Sequence, residues 1–322
     1  MVLFILRRLG QAILVMLVVA LIAFALFRYV GDPINNMVGQ DTTLEARQEL
    51  REQLGLNDPV PVQFWRFIKN AAQGDFGVSY RLGEPVSTLI AERFPATFEL
   101  AFVSAVMALA IGIPMGVYTA LNRRGIISRS FMTLSLIGIS LPTFLIGILL
   151  ILFFGVVLRW LPTFGRGDVV HIGWWSTNFL TVSGWQSIIM PAITLAIFQM
   201  TLIVRLVRAE MLEVLRTDYV KFAKARGLKT RTIHFSIALK NTLAPVMTII
   251  GLQIGSIVAF AIITESVFQW PGMGLLFIQA IEEVDIPIMA AYLLLIALIF
   301  VIINLVVDIL YFVVDPRLRV QS

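Results

Sequence analysis

The chain has 322 residues, of which 58% are hydrophobic and only 14% charged, and its formal net charge is +5. Its mean hydropathy is +0.89. Soluble domains carry roughly 25% charged residues, so this composition excludes a disordered chain, a coiled coil or a nucleic-acid-binding domain for the bulk of the sequence and describes an integral membrane protein. Cysteine is absent, and the two histidines, His171 and His234, lie far apart. That leaves no thiolate site and little room for a histidine metal cluster, so no metal site is assigned.

A spanning helix needs about 20 mostly apolar residues, and six stretches qualify. The first, residues 9–30, is too long and uncut to be a signal peptide. It is followed by a segment of soluble character, residues 31–94. There, residues 43–54 predict an amphipathic helix exposing Glu45, Arg47, Glu49, Arg51 and Glu52 and ending at Gly55. Asn57-Asp58-Pro59 predicts a turn, and the run Phe64-Trp65-Arg66-Phe67-Ile68 a second helix at the interface. Spans two and three, residues 98–121 and 131–158, contain Pro114 and Pro142, where kinks are expected. Residues 159–187 carry Trp160, Trp174, Trp175 and Trp185, which suit an aromatic belt. Span four, residues 188–207, is interrupted by Gln199 and Arg205. Span five is residues 244–268, then a turn opens at Trp270-Pro271-Gly272, and span six is residues 286–314.

Basic residues set the orientation. With the N-terminus inside, the cytoplasmic segments hold 16 of the 25 Lys and Arg and only four acids. Both termini are therefore expected in the cytoplasm, with residues 31–94 outside. The richest basic segment, residues 208–242, has its own helical grammar. Thr217 is placed to cap a helix whose first turn holds Asp218, and Gly227 to end it. A second helix begins near Thr230 and runs toward the fifth span. Ala223 and Gly227 are four apart and share a face that permits close backbone approach. On spacing alone, an interfacial hairpin on anionic lipid and a docking knob are equally good readings.

The pattern Ala223, three residues, Gly227, nine residues, Ile237 resembles the cytoplasmic loop signature of binding-protein-dependent ABC transporter permeases. Lys221-Phe222 stands in place of its leading Glu-Ala, and its terminal proline is displaced to Pro245. Further matches run the length of the chain, among them Leu6-Arg7-Arg8-Leu9, Gln73-Gly74-Asp75-Phe76-Gly77, Arg93-Phe94-Pro95-Ala96-Thr97, Trp270-Pro271-Gly272 and Asp315-Pro316-Arg317. They resemble the first permease subunit of the dipeptide/oligopeptide/nickel group. The resemblance implies an all-α, six-helix type I importer permease forming one domain, residues 1–322, in a bacterial inner membrane. It also implies a second permease, two ATPase subunits binding ATP and Mg, and an extracytoplasmic solute-binding protein. This chain itself would hold no cofactor and bind no nucleic acid. Peptides are the favoured cargo, with nickel chelates, glutathione, haem and oligosaccharides open. The loop of Asp218, Tyr219, Val220, Lys221, Ala223, Lys224, Arg226, Gly227, Leu228 and Ile237 would couple to the ATPases.

No stretch reads G-x-x-x-x-G-K-[ST], so no ATP site is expected here. Among polar groups in or near the spans, Glu99 and Arg205 are read as snorkelling from span ends. Asp308 is read as pairing helices, with Arg205 or Arg208 as partner. Gln253 and Ser256 are candidates for a wet pathway and Glu265 for an outer gate or docking point. A membrane-embedded enzyme would need paired carboxylates or H-E-x-x-H, and neither is present. The alternative of a self-sufficient ion-coupled carrier or channel would be expected to bury several ionisable groups mid-span, where only Asp308 comes close.

Overall fold

The computed structural model describes residues 2–29, 43–53 and 57–314, and these are almost entirely helical. Helix α1 (Val2–Tyr29) is followed by α2 (Leu44–Gln53) and α3 (Val60–Ala72), where the sequence predicts an amphipathic helix and an interfacial one. The Gly55 stop lies outside the described residues. Phe64 and Phe67 of α3 pack on Phe24 of α1 with ring centroids 5.3 and 6.0 Å apart. The Arg28 guanidinium donates to Gln63 Oε1 at 3.1 Å, so the second short helix is tied back to the first span.

Helix α4 (Val86–Leu121) has 36 residues, about 54 Å at 1.5 Å per residue, against roughly 30 Å of hydrocarbon. It starts inside the segment read as soluble. Hydropathy registers only its apolar part, whereas its first turns carry Glu92 and Arg93.

The third predicted span requires correction. Residues 131–158 are not one kinked helix: α5 (Ile126–Ser140) and α6 (Thr143–Leu150), the latter continued as a π-helix over Ile151–Val157, are bent by 109°. Pro142 has no N–H to continue α5, and its ring disfavours helical geometry at Leu141. The chain leaves the helix there and restarts with Pro142 in extended geometry at φ −58°, ψ 137°.

Between Val157 and α7 (Val182–Val214), strands β1 (Val170–Ile172) and β2 (Trp175–Thr177) form an antiparallel hairpin with His171 opposite Ser176. After α7 come α8 (Asp218–Ala225) and the single turn α9 (Thr230–Thr232). A π-helical stretch, Ile233–Ala238, leads from α9 into α10 (Leu239–Phe268). Helices α11 (Met273–Glu282) and α12 (Ile286–Val314) follow. Among the described residues, five helices are long and apolar enough to cross a bilayer, or six if the bent pair is one span.

Two small-residue pairs bring helix axes together. A Cβ at Gly112 would meet Ile203 Cγ2 at 2.8 Å and one at Gly116 would meet Val207 Cβ at 2.6 Å, so α4 lies hard against α7. Gly251 and Gly255 of α10 likewise seat Val307 and Phe300 of α12.

Candidate functional site

The site is built where α7, α8 and α10 meet. The Thr217 hydroxyl does not cap α8 as predicted; it donates backward to Val214 O at 2.6 Å. Helix α8 instead has Asp218 in its first turn, which pairs with Lys221 Nζ at 2.8 Å. That bond and the lysine charge hold the Asp218 carboxyl below its ordinary range. The C-terminus closes as the sequence predicts: Gly227, at φ +74°, lets Gly227 N donate to Lys224 O at 2.9 Å and Leu228 N to Ala223 O at 3.3 Å. This is a Schellman cap, and its left-handed residue favours glycine.

Helix α8 is two-faced. Val220 (0% exposed) and Ala223 (5%) are part of one apolar cluster with Val207 and Met211 of α7 and Val246 of α10. Turned away from them are Tyr219 (44% exposed), Phe222 (64%) and Leu228 (41%). Lys221, Lys224 and Arg226 surround these exposed side chains, and the Arg226 guanidinium sits 5.8 Å from the Phe222 ring centre, within cation–π range. The shared face of Ala223 and Gly227 is thus split: Ala223 packs within the chain, and the space at Gly227 is open. Ile237 is half-buried beneath the loop, and His234 beside it is held below the ordinary imidazole range by burial and by Lys224.

Deeper in the helices, Gln253 and Ser256 meet a third polar residue that the sequence reading treated only as an interruption. Gln199 Nε2 donates to Ser256 Oγ at 2.8 Å, and Ser256 Oγ donates to Gln253 O at 2.7 Å. Gln199 is 3% exposed and its Oε1 has no partner. Arg205 is exposed on α7, while the Asp308 side chain lies outside the described residues, as does any pairing it makes.

Glu265 is fully buried at the end of α10. It accepts from Thr97 Oγ1 at 2.6 Å and from Leu275 N at 3.0 Å, while Trp270 Nε1 donates to Ala96 O at 3.0 Å. Its carboxylate therefore clasps the turn into α11 onto α4. Glu99 corrects the snorkelling expectation. It is 1% exposed and receives Arg166 Nη2 at 2.6 Å and Trp175 Nε1 at 3.2 Å. Asp285, also buried, accepts from the Ser79 hydroxyl and from Arg81 N. The pairs are separated by 67 residues for Glu99 and Arg166, and by 168 for Thr97 and Glu265. Periodicity carries no signal over such distances.

Residues 112–320 match the family model described as binding-protein-dependent transport system inner membrane component, and residues 1–101 match the N-terminal model of the same system. The chain belongs to this family. The permease is 39% identical, over 99% of both chains, to the di/tripeptide transport system permease protein DppB of Pseudomonas aeruginosa. It is 36% identical, over 98% of both chains, to the glutathione transport system permease protein GsiC of Escherichia coli K12. Among solved structures, an inward-facing MetNI methionine ABC transporter shares the fold, with TM-score 0.54 and 20% identity over 68% of this chain and 93% of the other. The permease is thus an inner-membrane, multi-pass component of an ABC importer.

Proposed function

We propose that the permease forms half of the translocation pathway for peptides, paired with a second permease and supplied by an extracytoplasmic binding protein. Two ATPase subunits holding ATP and Mg drive it through the loop of residues 208–242. Both termini and this loop lie in the cytoplasm, and residues 31–94 outside. The relatives that transport di- and tripeptides or glutathione support the cargo class.

The two-faced α8 carries the coupling reading. Its inner face belongs to the core of α7 and α10, so a push on the outer face moves those helices as a body. The outer face offers Phe222, an aromatic anchor of the kind that dominates interfaces, within a basic rim suited to an acidic groove. Ala223 serves the internal face, and Gly227 gives the loop its reversal.

In the assembled importer in proteoliposomes, Phe222→Glu is expected to cut peptide-stimulated ATP hydrolysis at least about tenfold, the effect of losing a hot-spot contact. Glu49→Gln, an exposed control on α2 outside the spans, leaves it unchanged. Full stimulation in the Phe222 variant would refute the docking role.

A further inference from the structure

Helix α10 has two unlike sides. At 3.6 residues per turn, Ile249, Gln253, Ser256 and Phe260 form one stripe along it. Gly251 and Gly255, seated against Val307 and Phe300 of α12, lie on the opposite side. The described residues leave the stripe partly open: Ile249 is 40% and Phe260 48% exposed, with Gln253 and Ser256 half-buried between them. Gln253 and Ser256 also sit near the middle of the apolar run Pro245–Phe268. An amide turned toward lipid at that depth would find no hydrogen-bond partner, so such a face belongs against a polar occupant.

The polar pair is held from behind. Gln199 Nε2 of α7 donates to Ser256 Oγ at 2.8 Å, and Ser256 Oγ lies 2.7 Å from Gln253 O and 3.3 Å from Gln253 Oε1. The oxygen end of the Gln253 carboxamide is therefore turned toward Ser256, and among the described residues no acceptor meets its Nε2. Gln199 is 3% exposed with Oε1 unmet. A leucine would fill that space without a stranded polar atom, so packing does not account for the amide. Next to Gln199, Phe198 faces Phe260 with ring centres 6.5 Å apart and adds an apolar wall.

We propose that Gln253 Nε2 donates to a main-chain carbonyl of the peptide in transit, with Gln199 as a positioning residue acting through Ser256. This rests on the peptide pathway proposed above and names a contact within it. Peptides of different sequence share a backbone, and a neutral donor reads that backbone whatever the side chains are. A single uncharged hydrogen bond also holds weakly enough to let the cargo leave.

The test uses Ile249→Cys, one turn from Gln253, as a reporter in the assembled importer; this chain has no cysteine of its own. A water-soluble maleimide is expected to label it in the nucleotide-free complex in detergent, as read by mass on this chain, and trialanine is expected to protect it. Adding Gln253→Leu raises the half-protective trialanine concentration about fivefold, the effect of one neutral hydrogen bond. Adding Gln199→Leu raises it about twofold and leaves the labelling rate without peptide unchanged. An altered rate there makes Gln199 structural and overturns its positioning role. Labelling without protection, or protection that Gln253→Leu does not weaken, overturns the carbonyl contact. A reporter silent in the importer but labelled in the chain alone assigns the stripe to the second permease and overturns the proposal. ATP-driven trialanine uptake by the reporter importer in proteoliposomes is measured first: its absence sinks the peptide pathway itself, whereas uptake without protection sinks only the contact.

Discussion

A carboxylate buried at a helix surface persists only where its charge is met. Glu99 meets Arg166, an indole N–H and a backbone N–H, all within one pocket. Removing one partner strands the other, which typically costs about 3–5 kcal/mol, whereas removing both is far milder. Glu99→Gln and Arg166→Met should each lower the unfolding midpoint in detergent strongly, with the double variant recovering much of the loss. Additive losses would show that the two side chains act separately. His234 supplies a pH dependence. Its folded pKa lies below the ordinary value of 6.5 because of burial and Lys224, so the unfolded state binds the proton more readily. Stability from this group is complete above that value and declines as the pH falls through the lower, folded one. Amide protection factors over residues 218–238, corrected for the intrinsic pH dependence of exchange, should fall as the pH drops below 6.5, and His234→Gln should flatten the change.

At the scale of helices, hydropathy located the apolar runs because each needs only local information. It failed at Leu141-Pro142 because a kink and a 109° break begin from the same residue, and what packs beside it decides between them. The glycine stop of α8 was readable from position alone, since its φ of +74° favours one residue type. The spacing of Ala223 and Gly227 showed a shared face but not what lies against it; the structure puts Ala223 in the core with α7 and α10. Gly227→Ala should cost about 1–2 kcal/mol of local stability through its left-handed backbone, seen as faster exchange at Leu228. Gly116→Leu drives a side chain into Val207 and Val204 O. Overpacking of that kind costs about 1–3 kcal/mol, so its thermal midpoint should fall while Gly10→Leu, in open space, leaves it in place.

Across the whole molecule, the buried polar ties gather toward the end bearing Trp270. Glu99 holds the β hairpin to α4, Glu265 holds the α10–α11 turn to α4, and Asp285 holds the segment around Ser79 to the start of α12. At the α8 end, the helices meet chiefly through aliphatic and small side chains. Directional bonds resist sliding, whereas such contacts can be exchanged with little change in energy. The hinge of any rocking motion therefore belongs beside the tryptophan, and the longest stroke beside the phenylalanine on α8, so a small movement of the latter is a long-armed turn about a fixed rim.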